Sequence, residues 1–171
     1  MNTKNIVVLP YDEKWIDDFI KIKAELEEII SDLIIGVEHV GSTSVRGLSA
    51  KPIIDIDLVI KDYSIFDEVV RRLASIGYIY EGNLGIEGRE TFRYDNKPHL
   101  QEHHVYVCSA QSRELHRHIT FRNYLRTHPE AVEKYSKIKL KAAKLYPNDI
   151  EKYLEHKSSV IGEIYKQCGL I

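Results

Sequence analysis

At 171 residues, with 43% hydrophobic residues and a formal charge of −2, the chain is expected to form a single domain over 1–171. It is too weakly charged to coat nucleic acid. Two cysteines, Cys108 and Cys168, exclude a disulfide scaffold and fit a reducing, cytoplasmic setting. No segment approaches the roughly 18 apolar residues of a membrane span, and the apolar stretch near the start is too short for a signal peptide.

Ile6–Pro10 predicts a short strand. A helix follows from about Asp12, as N-cap, to about Leu33, with Trp15, Ile16, Phe19, Ile20, Leu26, Ile29, Ile30 and Leu33 as its apolar stripe. Val37–Val40 and Ile53–Ile60 read as strands, separated by a Gly-Ser-Thr-Ser turn. Ser64–Ile76 reads as a helix that stops at Gly77. Tyr78–Tyr80, Glu90–Tyr94 and Gln101–Cys108 are strand candidates, with glycines punctuating the loop between the first two. From Ser112 the character changes to three helices, Ser112–Arg126, Pro129–Leu145 and Asn148–Gln167, broken at His128-Pro129 and Pro147-Asn148. The expected fold is α+β, a mixed core over 1–111 with a helical layer over 112–171 packed on it. The layer carries 12 basic and 7 acidic residues from Arg113 onward, against 12 and 19 before it. A basic layer beside an acidic body suits phosphate groups; a lysine-rich solvated surface explains it equally well.

The chemistry concentrates in Val40-Gly41-Ser42-Thr43-Ser44 and Asp55-Ile56-Asp57. Alternation puts both carboxylates of a strand D-x-D on one face, with Ile54, Ile56 and Leu58 on the other. Like charges at that distance repel unless a cation intervenes, and Mg²⁺ prefers such hard oxygen ligands and shares its shell with phosphates. The Gly-Ser turn, with Gly41, Ser42, Thr43 and Ser44, offers hydroxyls and a close backbone approach for a phosphate. Each motif alone is common: a serine turn is an ordinary cap, and a D-x-D pair is often a solvated edge. Their joint occurrence within about twenty residues is far less so.

The run HVGSTSV…GLSAKPIIDIDLVI, with Pro10-Tyr11-Asp12, HHVYVC at His103–Cys108 and FRNYLRTHPEAVEKY at Phe121–Tyr135, resembles the GrpB family of the nucleotidyltransferase superfamily. The resemblance covers nearly the whole chain. It implies a nucleotidyltransferase-like mixed sheet flanked by helices. By match, Gly41 and Ser42 would hold nucleotide phosphates, and Asp55 and Asp57 would hold Mg²⁺ (or Mn²⁺). Relatives fused to dephospho-CoA kinase point toward nucleotide or coenzyme A metabolism. Two departures stand out. The superfamily's third carboxylate, from a later strand, is replaced by His104, a poorer Mg²⁺ ligand that can move a proton. Arg46 stands where many relatives have proline, adding a cation beside the turn.

Further residues admit two readings each. His39, His103 and His104 would form a His/Asp metal site for zinc or manganese if their strands are neighbours; otherwise they pack under the sheet or face solvent. Lys51 neutralises a phosphate or merely ends a loop. Arg122 and Arg126, one helical turn apart, clamp a triphosphate or pair with the acidic body. Lys134, Lys137, Lys141 and Lys144 read as a solvated face, and Cys108 as an inert core thiol. Three functions fit: transfer of a nucleotidyl group from a nucleoside triphosphate to an acceptor, non-catalytic binding of a nucleotide or coenzyme, and metal-dependent phosphate transfer or hydrolysis using His104. No membrane partner and no strong nucleic-acid partner is indicated, and nothing in the sequence fixes the acceptor or an oligomeric state.

Overall fold

The computed structural model describes residues 5–171. Five strands, β1 (Gly36–Val40), β2 (Ile54–Ile60), β3 (Ile79–Gly82), β4 (Glu90–Arg93) and β5 (His103–Ser109), form one mixed sheet in the order β1-β2-β5-β4-β3. The central β2–β5 pair is parallel and every other pairing antiparallel. β2 is rich in isoleucine and is covered on both faces, as a central strand beside a parallel neighbour should be. The helices are α1 (Lys14–Ile30), α2 (Phe66–Ser75), α3 (Arg113–Arg126), α4 (Pro129–Leu145) and α5 (Ile150–Gln167). The fold is thus the α+β class expected. Among the described residues no helix is long and apolar enough to cross a membrane.

Helix boundaries follow local chemistry. Ser112 Oγ accepts from Leu115 N at 3.3 Å to start α3, and Asp149 accepts from Lys152 N at 3.1 Å to start α5. Pro129 occupies the first turn of α4, where no intrahelical N–H is required. Gly77, at φ +92°, takes the left-handed position after α2.

Two helices line one face of the sheet. Trp15, Ile22, Leu26 and Ile30 of α1 and Val69 and Leu73 of α2 bury Ile54, Ile56, Leu58, Val105 and Val107. On the other face α3 covers Val59 and Cys108 through Leu115. Helices α4 and α5 extend this layer by enclosing Val45 and Leu48, just past the Gly-Ser turn, with Val132, Tyr135, Val160 and Ile164. The helical third is therefore anchored on the very loop that carries the motif.

Three local expectations change. Ile6–Pro10 is not a strand; Leu9 forms an isolated bridge with Ala50, and Val7 and Leu9 stay exposed. Pro10 has no N–H with which to continue a ladder. α1 ends at Ile30 rather than Leu33, closed by a tight Leu33 N to Ile30 O turn. Its buried stripe runs through Ile22, while Ile16 and Ile20 are exposed.

Candidate active site

The register fixes one polar face. Asp55 lies opposite His104 and Val40, and Asp57 opposite Tyr106 and Glu38. Residues directly opposite share a face, so Asp55, Asp57, His104 and Tyr106 form one patch. His39 and His103 belong to the opposite face, and β1 and β5 are not neighbours. The three-histidine metal site is thereby overturned. His39 stacks on Phe19 and meets Thr43 Oγ1 at 2.9 Å. His103 stacks on Tyr94, and its ring nitrogens meet Tyr78 Oη and Gln101 O, each at 2.6 Å. Burial holds both imidazoles neutral, at about 4.

The turn between β1 and β2 runs against Asp55. Gly41 has φ +73°, and a Cβ there would lie 2.3 Å from Asp55 Oδ2. Only glycine allows both the conformation and the approach. The 3-10 turn Ser42–Ser44 follows. Its three hydroxyls have different partners. Thr43 is engaged by His39 and Ile53 O, and Ser44 bonds back to Gly41 O. Ser42 Oγ accepts from Lys139 Nζ of α4 at 2.6 Å.

Ser42, Lys51, Asp55, His104, Lys139 and Lys157 line a cavity of about 200 Å³, together with Thr43, Tyr153 and apolar neighbours. Lys51, Lys139 and Lys157 converge there, and among the described residues none has a carboxylate within ion-pair distance. Lys139 is only 3% exposed, and burial drives its ammonium well below the usual lysine range. Burial and the charge of Lys51 bring Lys157 down to about 8. Lys51 and Lys157 both lie over the Tyr153 ring, at 4.9 and 4.6 Å, and the Tyr153 hydroxyl is buried without a partner. Unpaired buried cations around a hydroxyl are costly unless an anion joins them.

The two carboxylates are not equivalent. Asp55 reaches the cavity and meets His104 Nδ1 at 3.0 Å; the bond raises the imidazole above its ordinary range. Asp57 is 0% exposed and lies under α3, its Oδ2 meeting His118 Nδ1 at 2.6 Å. Both carboxylates share the face expected, but only Asp55 lines the cavity. Burial raises the Asp57 carboxyl, opposed by His118. Burial pulls His118 down, but the bond to Asp57 and the nearby carboxylates outweigh it and raise the imidazole. Asp57 Oδ1 is buried with no partner.

The remaining expected site residues are elsewhere. Arg122 reaches Glu38 Oε2 at 2.7 Å and His39 O at 3.0 Å. Arg126 grips Ser44 O through Nε and Nη2 at 3.0 and 2.9 Å. From α3, Arg122 braces β1 and Arg126 braces the turn, and neither lines the cavity. Arg46 is exposed and also outside it. Lys139, Lys157 and His118 were not singled out by motif. Each lysine carried a signal: Lys139 is four residues after Tyr135 and seven after Val132, and Lys157 four after Tyr153, both on buried stripes.

The sheet order, the Gly-Ser turn and the carboxylate face define a nucleotidyltransferase-like fold. Low-identity matches bear out that fold: the GLD-2/RNP-8 complex (TM-score 0.58, 15% identity, 94% of this chain and 62% of that one) and the Cid1 poly(U) polymerase in a MgGTP-bound structure (TM-score 0.51, 11%, 79% and 43%). The chain belongs to the GrpB family, whose model, described as GrpB protein, matches residues 5–167. It is 31% identical to the glutamate-rich protein GrpB of Alkalihalophilus pseudofirmus over 98% of both chains. The crystal structure of conserved protein GrpB from Enterococcus faecalis matches with TM-score 0.82 and 34% identity, over 95% of this chain and 96% of that one. The chain spans only 46% of YqkA from Bacillus subtilis, at 30% identity over 92% of its own length. It spans 45% of a dephospho-CoA kinase from Mycobacterium tuberculosis, at 24% identity over 94% of its own length.

Proposed function

We propose that this site transfers a nucleotidyl group from a nucleoside triphosphate to an acceptor. The carrying observation is the convergence of three unpaired lysines and Ser42 on one cavity beside Asp55. Lys51, Lys139 and Lys157 would hold the outer phosphates, with Ser42 and Tyr153 donating hydroxyl hydrogen bonds. Their charge favours the developing negative charge on the leaving pyrophosphate, in a site that needs no reorganisation. The acceptor heteroatom forms the new bond to the α-phosphorus as the bond to the bridging oxygen breaks. Pyrophosphate leaves with the electron pair, and the acceptor's proton passes to Nε2 of His104, whose Nδ1 is occupied by Asp55.

Among the described residues no three His, Cys, Asp or Glu side chains group closely enough to hold an ion by themselves. The orphaned Asp57 Oδ1 and the neighbouring Asp55 nonetheless fit Mg²⁺, which commonly takes one or two carboxylates and completes its shell with phosphate and water. Asp55 and Asp57 would hold it, and when bound it supplies charge neutralisation at the phosphates.

A second reading, nucleotide binding without turnover, is supported by Asp57 lying sealed beneath His118 and by His104 in place of a third carboxylate. Calorimetry with MgATP and MgUTP, paired with a pyrophosphate-release assay over a pool of cell metabolites, separates the two. Transfer predicts binding plus release, with release abolished in Asp55→Asn. Binding without release in any pool favours the module, and absence of binding overturns both.

A further inference from the structure

Beyond His104, toward the β3 edge of the sheet, lies a second cavity of about 600 Å³ over β4 and β5. Arg89, Thr91, His104 and Tyr106 line its floor. The register sets Asp57, Tyr106 and Thr91 in one row across β2, β5 and β4. Thr91 therefore lies two strand spacings, about 10 Å, from Asp57 on the same face. The first cavity and this one share His104.

Two polar groups in this cavity are unexplained by the fold. Arg89 Nε and Thr91 Oγ1 are both buried with no hydrogen-bond partner. The Arg89 guanidinium lies over Tyr106, its carbon 4.3 Å from the ring centroid. Among the described residues it has no carboxylate within ion-pair distance, although its charge reaches the buried Asp57, whereas Arg93 in the same cavity pairs with Asp95 at 2.8 Å. The backbone before Arg89 is fixed: Ser112 Oγ donates to Gly88 O at 2.8 Å, and a Cβ on Gly88 would lie 2.9 Å from that hydroxyl. A stacked guanidinium with a buried, unpartnered Nε edge, in one cavity with an unpartnered hydroxyl two residues along the chain, is costly and suits a planar or tetrahedral oxyanion. Glu81 and Glu102 also line the cavity, but both are exposed, so solvent screens them.

We infer that Arg89 and Thr91 form a second anion subsite, which holds a phosphate or carboxylate group of the acceptor on the far side of Asp55 and His104 from the lysines. This rests on the transferase reading and narrows it to a small, acidic acceptor. Such an acceptor carries its nucleophilic hydroxyl or amine within about 10 Å of its anionic group, because Thr91 is the diagonal neighbour of His104 on the adjacent strand, roughly 7–8 Å away. Arg89 is then a specificity-determining residue, and the two anionic substrates are held apart by separate cations.

Arginine Nε–H signals in ¹H–¹⁵N spectra test this, with phenyl phosphate and benzoate as probes and MgATP binding measured on the same samples. The expected result is a saturable shift of the Arg89 Nε–H signal by at least one probe. The stronger probe names phosphate or carboxylate as the preferred group. Affinity should fall at least tenfold in Arg89→Gln and several-fold in Thr91→Val, and persist in Lys139→Met. If Arg89→Gln misfolds, Arg89→Lys, which keeps the charge but loses the fork, should still weaken the probe. Failure of both probes to shift Arg89, or probe binding that is lost in Lys139→Met and kept in Arg89→Gln, overturns the subsite. MgATP binding without probe binding would leave the transferase reading standing and remove only this inference. Probe binding at Arg89 without MgATP binding would remove the transferase reading and the acceptor role with it.

Discussion

Lys139 Nζ donates to Ser42 Oγ at 2.6 Å, joining α4 to the Gly-Ser turn across 97 positions of sequence. Lys139 is 3% exposed and has no carboxylate partner among the described residues. Folding thus leaves a buried amine with no anionic partner against the Ser42 hydroxyl, and burial disfavours its charged form until an anion joins it. An arrangement of that kind destabilises the empty protein and favours an anionic ligand.

Lys139→Met and Lys157→Met should each raise the melting temperature of the ligand-free protein by a few degrees and weaken nucleotide binding at least tenfold. The pH dependence has a definite sign. Lys157 loses its proton near 8 when folded and near 10.5 when unfolded. Between those values the unfolded chain binds more protons at this lysine, so its contribution to ligand-free stability, read as the difference between the wild type and Lys157→Met, rises with pH, whereas buried groups such as Cys108 act in the opposite direction. Nucleotide affinity falls over the same interval as the ammonium is lost. Calorimetry and urea titrations from pH 7 to 10 check both slopes, and parallel slopes would refute the assignment.

The acid limb is governed by the opposite face of the sheet. His39 and His103 stay neutral to about 4, against 6.5 when unfolded. From pH 6.5 down to about 4 the unfolded chain takes up protons that the native state refuses, so stability falls by up to about 3 kcal/mol per histidine. The raised imidazoles, His104 and His118, contribute fully below 6.5 and lose their contribution only above it, so they leave this window untouched. Urea midpoints between pH 4.5 and 7 should show the loss, and His39→Gln or His103→Gln should each remove about half of the slope.

Gly41→Ala tests the contact between turn and carboxylate. The new Cβ would meet Asp55 Oδ2 at 2.3 Å in a backbone region that disfavours side chains. A cost of about 1–3 kcal/mol in unfolding free energy is expected. Because Asp55 must move, Mg²⁺-dependent nucleotide binding should fall further than metal-free binding to the lysines. Calorimetry with and without EDTA reads the difference, and equal losses would remove Asp55 from the metal-binding role.

Arg122 is a brace. Arg122→Ala leaves Glu38 and the His39 carbonyl without their cation, and chemical denaturation should show a loss of about 2–3 kcal/mol. Nucleotide affinity of the folded fraction should change less than threefold. A drop as large as that of Lys139→Met would return Arg122 to the phosphate site.

The sequence alone determined the elements and the paired motif. Alternation in Ile54-Asp55-Ile56-Asp57-Leu58 fixes which side chains share a face, because a strand has a period of two. Ser112, Pro129 and Asp149 mark helix starts by chemistry confined to a few residues. What it left undecided depended on neighbours far along the chain. Alternation sets His103 and His104 on opposite faces of β5, but strand order and register alone put His39 two strands away, opposite Ile56 and on the face away from His104. The seating of α3 alone turns Arg122 and Arg126 inward and closes His118 over Asp57. Lys139 and Lys157 could be marked only as charges on apolar stripes, since a helix records which residues it buries but not what they meet. Packing of α4 and α5 around Val45 and Leu48 brought those two ammonium groups to Ser42, and burial without a partner is what makes them an anion site.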